Sequence, residues 1–60
     1  MTLSDLYRVI DTRIELMVEH QQEYYKVFIG KFYDVPVKYM EFGVKKITLK
    51  DSYTVSIMVY

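Results

Sequence analysis

The chain has 60 residues, of which 52% are hydrophobic and 17% aromatic, and its eight basic and eight acidic residues cancel to a net charge of zero. A chain of this length holds one domain with one thin core, because it buries only about 60% of the surface that its unfolded form exposes. The charge balance opposes the broad positive field on which nonspecific binding to nucleic acids or membranes depends. With no cysteine available for disulfides or zinc ligation, self-association is the remaining means of stabilising so small a domain.

The first residues predict a short helix over residues 3–10. The apolar residues of its buried face recur at helical spacing: Leu3, Leu6, Tyr7 and Ile10. Thr2 and Asp5 form a variant of the capping box ahead of it. No targeting pattern and no apolar run of membrane-spanning length occurs in the sequence, so residence in the cytoplasm is expected.

Two stretches, residues 12–19 and 53–60, alternate apolar and polar side chains with the period of a half-buried strand. In the first stretch, Ile14, Leu16 and Val18 alternate with Arg13, Glu15 and Glu19. In the second stretch, Val55, Ile57 and Val59 alternate with Thr54, Ser56 and Met58. These patterns predict the first and last strands of a sheet with one apolar face.

The middle of the chain predicts two further strands. Residues 20–23 are polar and form the turn of a first hairpin, and residues 24–32 form its second strand. In that strand Tyr25, Val27 and Ile29 point inward, while Tyr24, Lys26 and Phe28 lie on the reverse side. Gly30 marks a bulge or a close backbone approach.

Pro36 interrupts the sheet, because it has no amide for a ladder and restricts Val35 before it. Residues 36–40 then form a single helical turn, residues 44–50 a third strand, and residues 51–52 a tight turn. The predicted fold is a single α+β domain over residues 1–60, with a short N-terminal helix packed on an antiparallel four-stranded sheet built from two hairpins. The alternative is one long N-terminal helix followed by three strands, because no glycine or proline precedes Gly30.

The sequence indicates neither a metal site nor catalysis. His20 and Glu23 would supply two ligands where a metal needs three or four, so we interpret them as part of a solvated turn. No serine lies in a nucleophile motif, and the carboxylates are dispersed as on a solvated face. We therefore expect no cofactor and no enzymatic activity.

Lysines are concentrated in the second half of the chain, where tyrosines and phenylalanines alternate with them. Cations beside aromatic rings can bind single-stranded nucleic acid by stacking. The candidate residues for such contacts are Lys26, Lys31, Lys45 and Lys46. We favour the simpler interpretation that these lysines solvate the sheet and protect its edges.

The reverse face of the predicted sheet indicates a protein contact, because one short helix cannot cover both faces. Methionines and aromatic residues projecting there would form one patch, which is typical of an interface. These residues are Met17, Tyr24, Phe28, Met58 and Tyr60. The simplest partner is a second copy of the same chain, giving a homo-oligomer, and a host or phage protein is the alternative.

The order of apolar motifs resembles that of small proteins encoded by phages and prophages of Gram-positive bacteria. The matching segments are Leu3-x-x-Leu6-x-x-Val9-Ile10, Ile14-x-Leu16-x-Val18, Gly30, Asp34-Val35-Pro36-x-x-Tyr39, Val44-x-x-Ile47 and Ile57-x-Val59. The resemblance implies a phage or mobile-element accessory protein, and some such proteins are anti-CRISPR inhibitors of Cas nucleases. One inhibitor with a similar order of elements is strongly acidic and imitates DNA, whereas this chain is neutral.

Overall fold

In the computed structural model, which describes all residues 1–60, one α-helix precedes four β-strands. The helix α1 spans Leu3–Tyr7, and the strands are β1 Arg13–His20, β2 Glu23–Lys31, β3 Val44–Leu49 and β4 Thr54–Val59. Two 3-10 turns, Phe32–Asp34 and Val37–Tyr39, lie between β2 and β3. The predicted α+β class is confirmed, and the long-helix alternative is wrong because β1 and β2 occupy that part of the chain.

The sheet has the strand order β2-β1-β4-β3 and is mixed. Each hairpin is antiparallel, but the central strands β1 and β4 pair in parallel. The prediction of a fully antiparallel sheet is therefore wrong at this central pair. The reason is the link over residues 32–43, which crosses one face of the sheet and delivers the second hairpin with β4, its more apolar strand, beside β1.

The core lies between the sheet and the two segments that cross it, α1 and residues 32–43. Eight apolar side chains are buried there: Leu3, Leu6, Ile14, Leu16, Phe32, Val35, Ile57 and Val59. We call this side of the sheet the core face and the opposite side the reverse face. The predicted inward residues of β1 and β4 are confirmed, since Leu16, Ile57 and Val59 have no exposed surface.

The inward set predicted for β2 is wrong at Ile29, whereas Val27 packs against the core as predicted. Val27 has no partner in β1, because the register shifts between Leu16 and Met17. This bulge exchanges the faces to which the following β2 side chains point, compared with an uninterrupted strand. As a result Phe28 lies opposite Leu16 and packs on the core, whereas Ile29 lies opposite Glu15 on the reverse face. The prediction that Phe28 projects from the reverse face is corrected accordingly.

Gly30 follows this bulge with φ of 153°, a conformation that residues with side chains rarely adopt. The ring of Phe28 lies over it, with Cζ only 3.1 Å from the position that a Cβ atom would occupy. The close contact at Gly30 is thus with the Phe28 side chain and not with another backbone segment, and the bulge lies at Val27 instead of Gly30.

Backbone hydrogen bonds define both ends of α1. The Thr2 amide donates to the Asp5 carboxylate at 2.8 Å and lowers the pKa of Asp5. The helix ends at Tyr7, earlier than predicted, and the amides of Val9 and Ile10 both donate to the Leu6 carbonyl.

No helix of the chain has the length and apolar character needed to span a membrane.

Candidate functional site

An open cleft of about 660 Å³ lies at one end of the sheet. Because β1 and β4 are parallel, both begin at this end, while the antiparallel β2 ends there beside β1. The Thr12 hydroxyl donates to the Tyr53 carbonyl at 2.9 Å and joins the segments that lead into the two central strands. The parallel pair therefore brings together residues from distant parts of the sequence.

Tyrosines and cations make up most of the cleft wall, which we call the tyrosine cleft. It contains Tyr7, Arg8, Arg13, Lys31, Tyr33 and Tyr53. The side chains of Tyr33 and Tyr53 are 60% and 78% exposed. Their faces are available to a ligand instead of contributing to the core.

Two contacts set the positions of rings in the tyrosine cleft. Tyr7 packs edge-to-face on the buried ring of Phe32, with centroids 5.6 Å apart. The Lys31 ammonium lies 5.8 Å from the centroid of the Tyr33 ring, within the range of a cation–π contact. The cleft thus combines the Tyr7 ring, which packs on a core residue, with the Tyr33 ring, which contacts a lysine.

The cations of the tyrosine cleft have no carboxylate partners. Arg13 lies directly opposite Lys31 in the β1–β2 ladder, and like charges in that position destabilise a sheet. None of the three salt bridges of the chain involves a residue of the cleft. Asp11 is the one carboxylate in the wall, so three cations against one anion leave a local charge of +2. An anion bound here would relieve this repulsion.

The reverse face shows a different arrangement, because three of its lysines, Lys26, Lys45 and Lys50, form salt bridges. Glu15 is 7% exposed on the central strand and accepts a hydrogen bond from Lys50, while Lys26 lies 3.4 Å away on the other side. The Lys50 hydrogen bond, more than the Lys26 charge, lowers the pKa of Glu15 against the opposing effect of desolvation. The small side chains Thr54 and Ser56 on β4 are buried between these groups and leave room for Lys50 to reach across.

A second ion pair lies further along the same face. Lys45 donates to the Glu19 carboxylate and, at 3.4 Å, to the Tyr24 hydroxyl. Its ammonium also lies 5.6 Å from the centroid of the Tyr24 ring. The hydrogen bond to Glu19 raises the pKa of Lys45. These contacts hold the side chains in place on the sheet.

The four lysines predicted to contact nucleic acid do not lie together. Lys31 lines the tyrosine cleft, whereas Lys26 and Lys45 form ion pairs on the reverse face, and Lys46 lies on the edge strand β3. The sequence reasoning missed Arg8 and Arg13, which lie outside the lysine-rich second half. The available signal was the adjacency of cations and tyrosines at the ends of elements, as in Tyr7-Arg8 and in Lys31 with Tyr33.

The five residues predicted to form an apolar interface are divided by the fold. Met17 and Met58 are half-buried neighbours on the reverse face, and Tyr24 lies on the same face beside Lys45. Tyr60 follows β4 and is 65% exposed, with its ring against Gly43. Phe28 packs on the core instead. Ion pairs on both sides of the two methionines interrupt the predicted patch.

No group of three histidine, cysteine or acidic side chains is placed to hold a metal ion. His20 lies at the end of β1, beside a hairpin turn formed by Gln21 and Gln22. Comparison with protein-family models, with curated proteins and with solved structures finds no match to this chain.

Proposed function

We propose that this protein is a non-enzymatic binding module whose tyrosine cleft takes single-stranded nucleic acid. The observation that supports the proposal is the concentration of unpaired cations and exposed tyrosine rings in one cleft, whereas Lys26, Lys45 and Lys50 on the reverse face are paired with carboxylates. Single strands present phosphates together with exposed base faces, and proteins bind them with the same combination of cations and aromatic rings. The cleft volume of about 660 Å³ lies within the range of ligand sites, roughly 300–1,000 Å³.

The net charge of zero does not oppose this function once the charges are located. Glu15 is paired with Lys26 of β2 and with Lys50, which follows β3, and Glu19 is paired with Lys45 of β3. None of these residues lines the cleft. The field at the cleft mouth is therefore positive although the whole chain is neutral. Three phosphate contacts would give a modest affinity with a logarithmic salt slope of about −2, from about −0.7 per contact for single strands.

The test is fluorescence anisotropy of labelled oligo-dT and oligo-U at low ionic strength. Tyr53→Ala should weaken binding by roughly 5- to 150-fold, which corresponds to 1–3 kcal/mol for one stacked base. Tyr60→Ala removes another exposed ring, 65% exposed against 78% for Tyr53, at the opposite end of β4 and serves as the matched control. No anisotropy change with the unmodified protein, or equal losses in the two variants, would exclude the cleft.

Arg13→Gln separates binding from structure. Removing this charge relieves its repulsion with Lys31, so the midpoint of thermal unfolding should stay constant or rise slightly. The same variant should bind oligo-dT less tightly and show a shallower salt dependence. Lys38→Gln, outside the cleft, should change neither quantity. A loss of stability in Arg13→Gln would show instead that the arginine has a structural partner.

The assembly function expected from the sequence stays a prediction, as do the phage origin and the inhibition of a defence nuclease. The half-buried pair Met17 and Met58 is the part of the predicted interface that remains on the reverse face. Light scattering at high micromolar concentration tests self-association directly, since a monomer would contradict it. Recovery of a large nuclease from host lysate would favour the inhibitor function.

A further inference from the structure

The edge strand β3 has one side without a partner in the sheet. In the order β2-β1-β4-β3 its only paired strand is β4. At its first residue the open side is occupied, because the Val44 amide donates to the Met1 carbonyl at 2.9 Å and Thr2 forms a bridge with Gly43. Beyond this point the open edge runs to the end of the strand.

The backbone direction identifies which peptide groups the open edge presents. The Lys50 amide donates to the Thr54 carbonyl at 3.0 Å and so points toward β4. Peptide groups alternate between the two sides of an antiparallel strand, which directs those of Ile47 and Leu49 outward. The register shift between Val44 and Lys46 accounts for the outward direction of the Val44 amide at the other end.

The side chains of this edge have a different chemistry on each face. Ile47 and Leu49 pair with Ile57 and Val55 on the core face, yet they are 42% and 82% exposed because α1 and residues 32–43 do not cover them. On the reverse face Lys46 forms no salt bridge. An added strand would therefore meet apolar surface on one face and an unpaired cation on the other.

We infer that the open edge of β3 is a docking site for an extended segment of a protein partner in which apolar residues alternate with aspartate or glutamate. Backbone hydrogen bonds to Ile47 and Leu49 would supply the pairing, as in other cases of strand addition. A second copy fits less well, because antiparallel pairing of two β3 strands brings their lysines together and like charges oppose it.

The chain contains an example of the complementary pattern in its own β1 strand. There Ile14 and Leu16 alternate with Glu15, and this carboxylate holds Lys50 across the intervening strand β4. A partner segment of the same pattern would place its apolar side chains over Ile47 and Leu49 and a carboxylate beside Lys46. The charge on β3 thus selects between acidic and basic partners. This inference concerns a different surface from the tyrosine cleft and does not depend on it.

The probe is a short synthetic peptide of alternating valine and glutamate, added to ¹⁵N-labelled full-length protein and followed by amide NMR shifts. We expect the largest shifts and slowed hydrogen exchange at the amides of Ile47 and Leu49. A valine–lysine peptide and a block peptide of the same composition as the probe are the controls. Equal binding of either control, or shifts confined to other strands, would overturn the inference.

Two variants test the same contacts by different means. Leu49→Pro removes an outward amide that β4 does not use, so the sheet should remain and the affinity for the probe should fall about fivefold, the effect of one hydrogen bond. Lys46→Glu keeps every amide and should reverse the preference toward the valine–lysine peptide. If concentrated protein without peptide already protects both amides, the occupant is a second copy and the inference is wrong.

Discussion

The hairpin turn between β1 and β2 places glutamines where glycine or asparagine is normally found. Gln21 has φ of 53° and Gln22 has φ of 67°, and two central residues at positive φ are the signature of a type I′ turn. This conformation costs a residue with a side chain roughly 1–2 kcal/mol. We therefore expect Gln22→Gly to stabilise the protein.

The size of the gain follows from two opposing contributions. Glycine removes the strain at one position but also increases the entropy of the unfolded chain, which lowers the gain by roughly 0.4–1 kcal/mol. The net increase in the free energy of unfolding should be about 0.5–1 kcal/mol. For a domain of this size that corresponds to a rise of roughly 2–8 °C in the unfolding midpoint.

The assay is thermal and urea unfolding followed by circular dichroism, with Gln22→Ala as the matched control. Alanine retains the Cβ atom and its strain at positive φ, so this variant should show no gain. Both side chains are exposed and leave the core unchanged when removed. A lower midpoint for Gln22→Gly than for Gln22→Ala would contradict the prediction, since it would mean that glycine acts there only through chain entropy.

Three further substitutions test the packing and the charges of the sheet. Gly30→Ala should lower the free energy of unfolding by about 1–3 kcal/mol, because the new Cβ meets the Phe28 ring at positive φ. Urea unfolding measures this loss, and an unchanged midpoint would contradict the prediction. Glu15→Gln should lower the free energy of unfolding by about 1 kcal/mol near neutral pH. This loss is small for two ion pairs because Lys26 and Lys50 are partly exposed and solvent screens their charges. Since the pKa of Glu15 is depressed below its ordinary 4.5, the stabilisation by the ion pairs is present above that pH and disappears as the pH falls through the lowered pKa. If the variant and the parent still differ by the same free energy of unfolding at about pH 3, the ion pairs are not the cause. Leu16→Ala should lower the free energy of unfolding by about 2–5 kcal/mol. This is a large part of the roughly 3–9 kcal/mol available to a domain of this size. A cooperative transition with an unchanged midpoint would show that the core does not need the Leu16 side chain.

Strand positions were predictable because their signal is local. The alternation in β1 and β4 identified both strands to within a residue or two, and the polar residues 20–23 identified the turn although it has no glycine. The helical turn expected over residues 36–40 is present as the 3-10 turn Val37–Tyr39. In each case neighbouring residues determine the outcome through side-chain period or backbone restriction.

The pairing of the strands and the tyrosine cleft were not predictable in the same way. Which hairpin strand lies beside β1 depends on the path of residues 32–43 across the sheet, and no local pattern encodes that path. The bulge at Val27 reversed the faces of Phe28 and Ile29 for the same reason. Arg13 and Tyr53 meet only because β1 and β4 are parallel, so a site built from them is invisible until the topology is known.

The parallel pair at the centre of the sheet also governs when the chain can fold during its synthesis. Arg13 pairs with Thr54 and Val18 with Val59, so β1 acquires its second neighbour only after residues 54–59 have been synthesised. Until β4 leaves the ribosome, one edge of β1 is unpaired and the apolar side chains of β1 and β2 lack most of their packing partners. Such distant pairing slows folding, and the nascent protein passes through a stage in which the apolar side chains of β1 are exposed to chaperones or to aggregation.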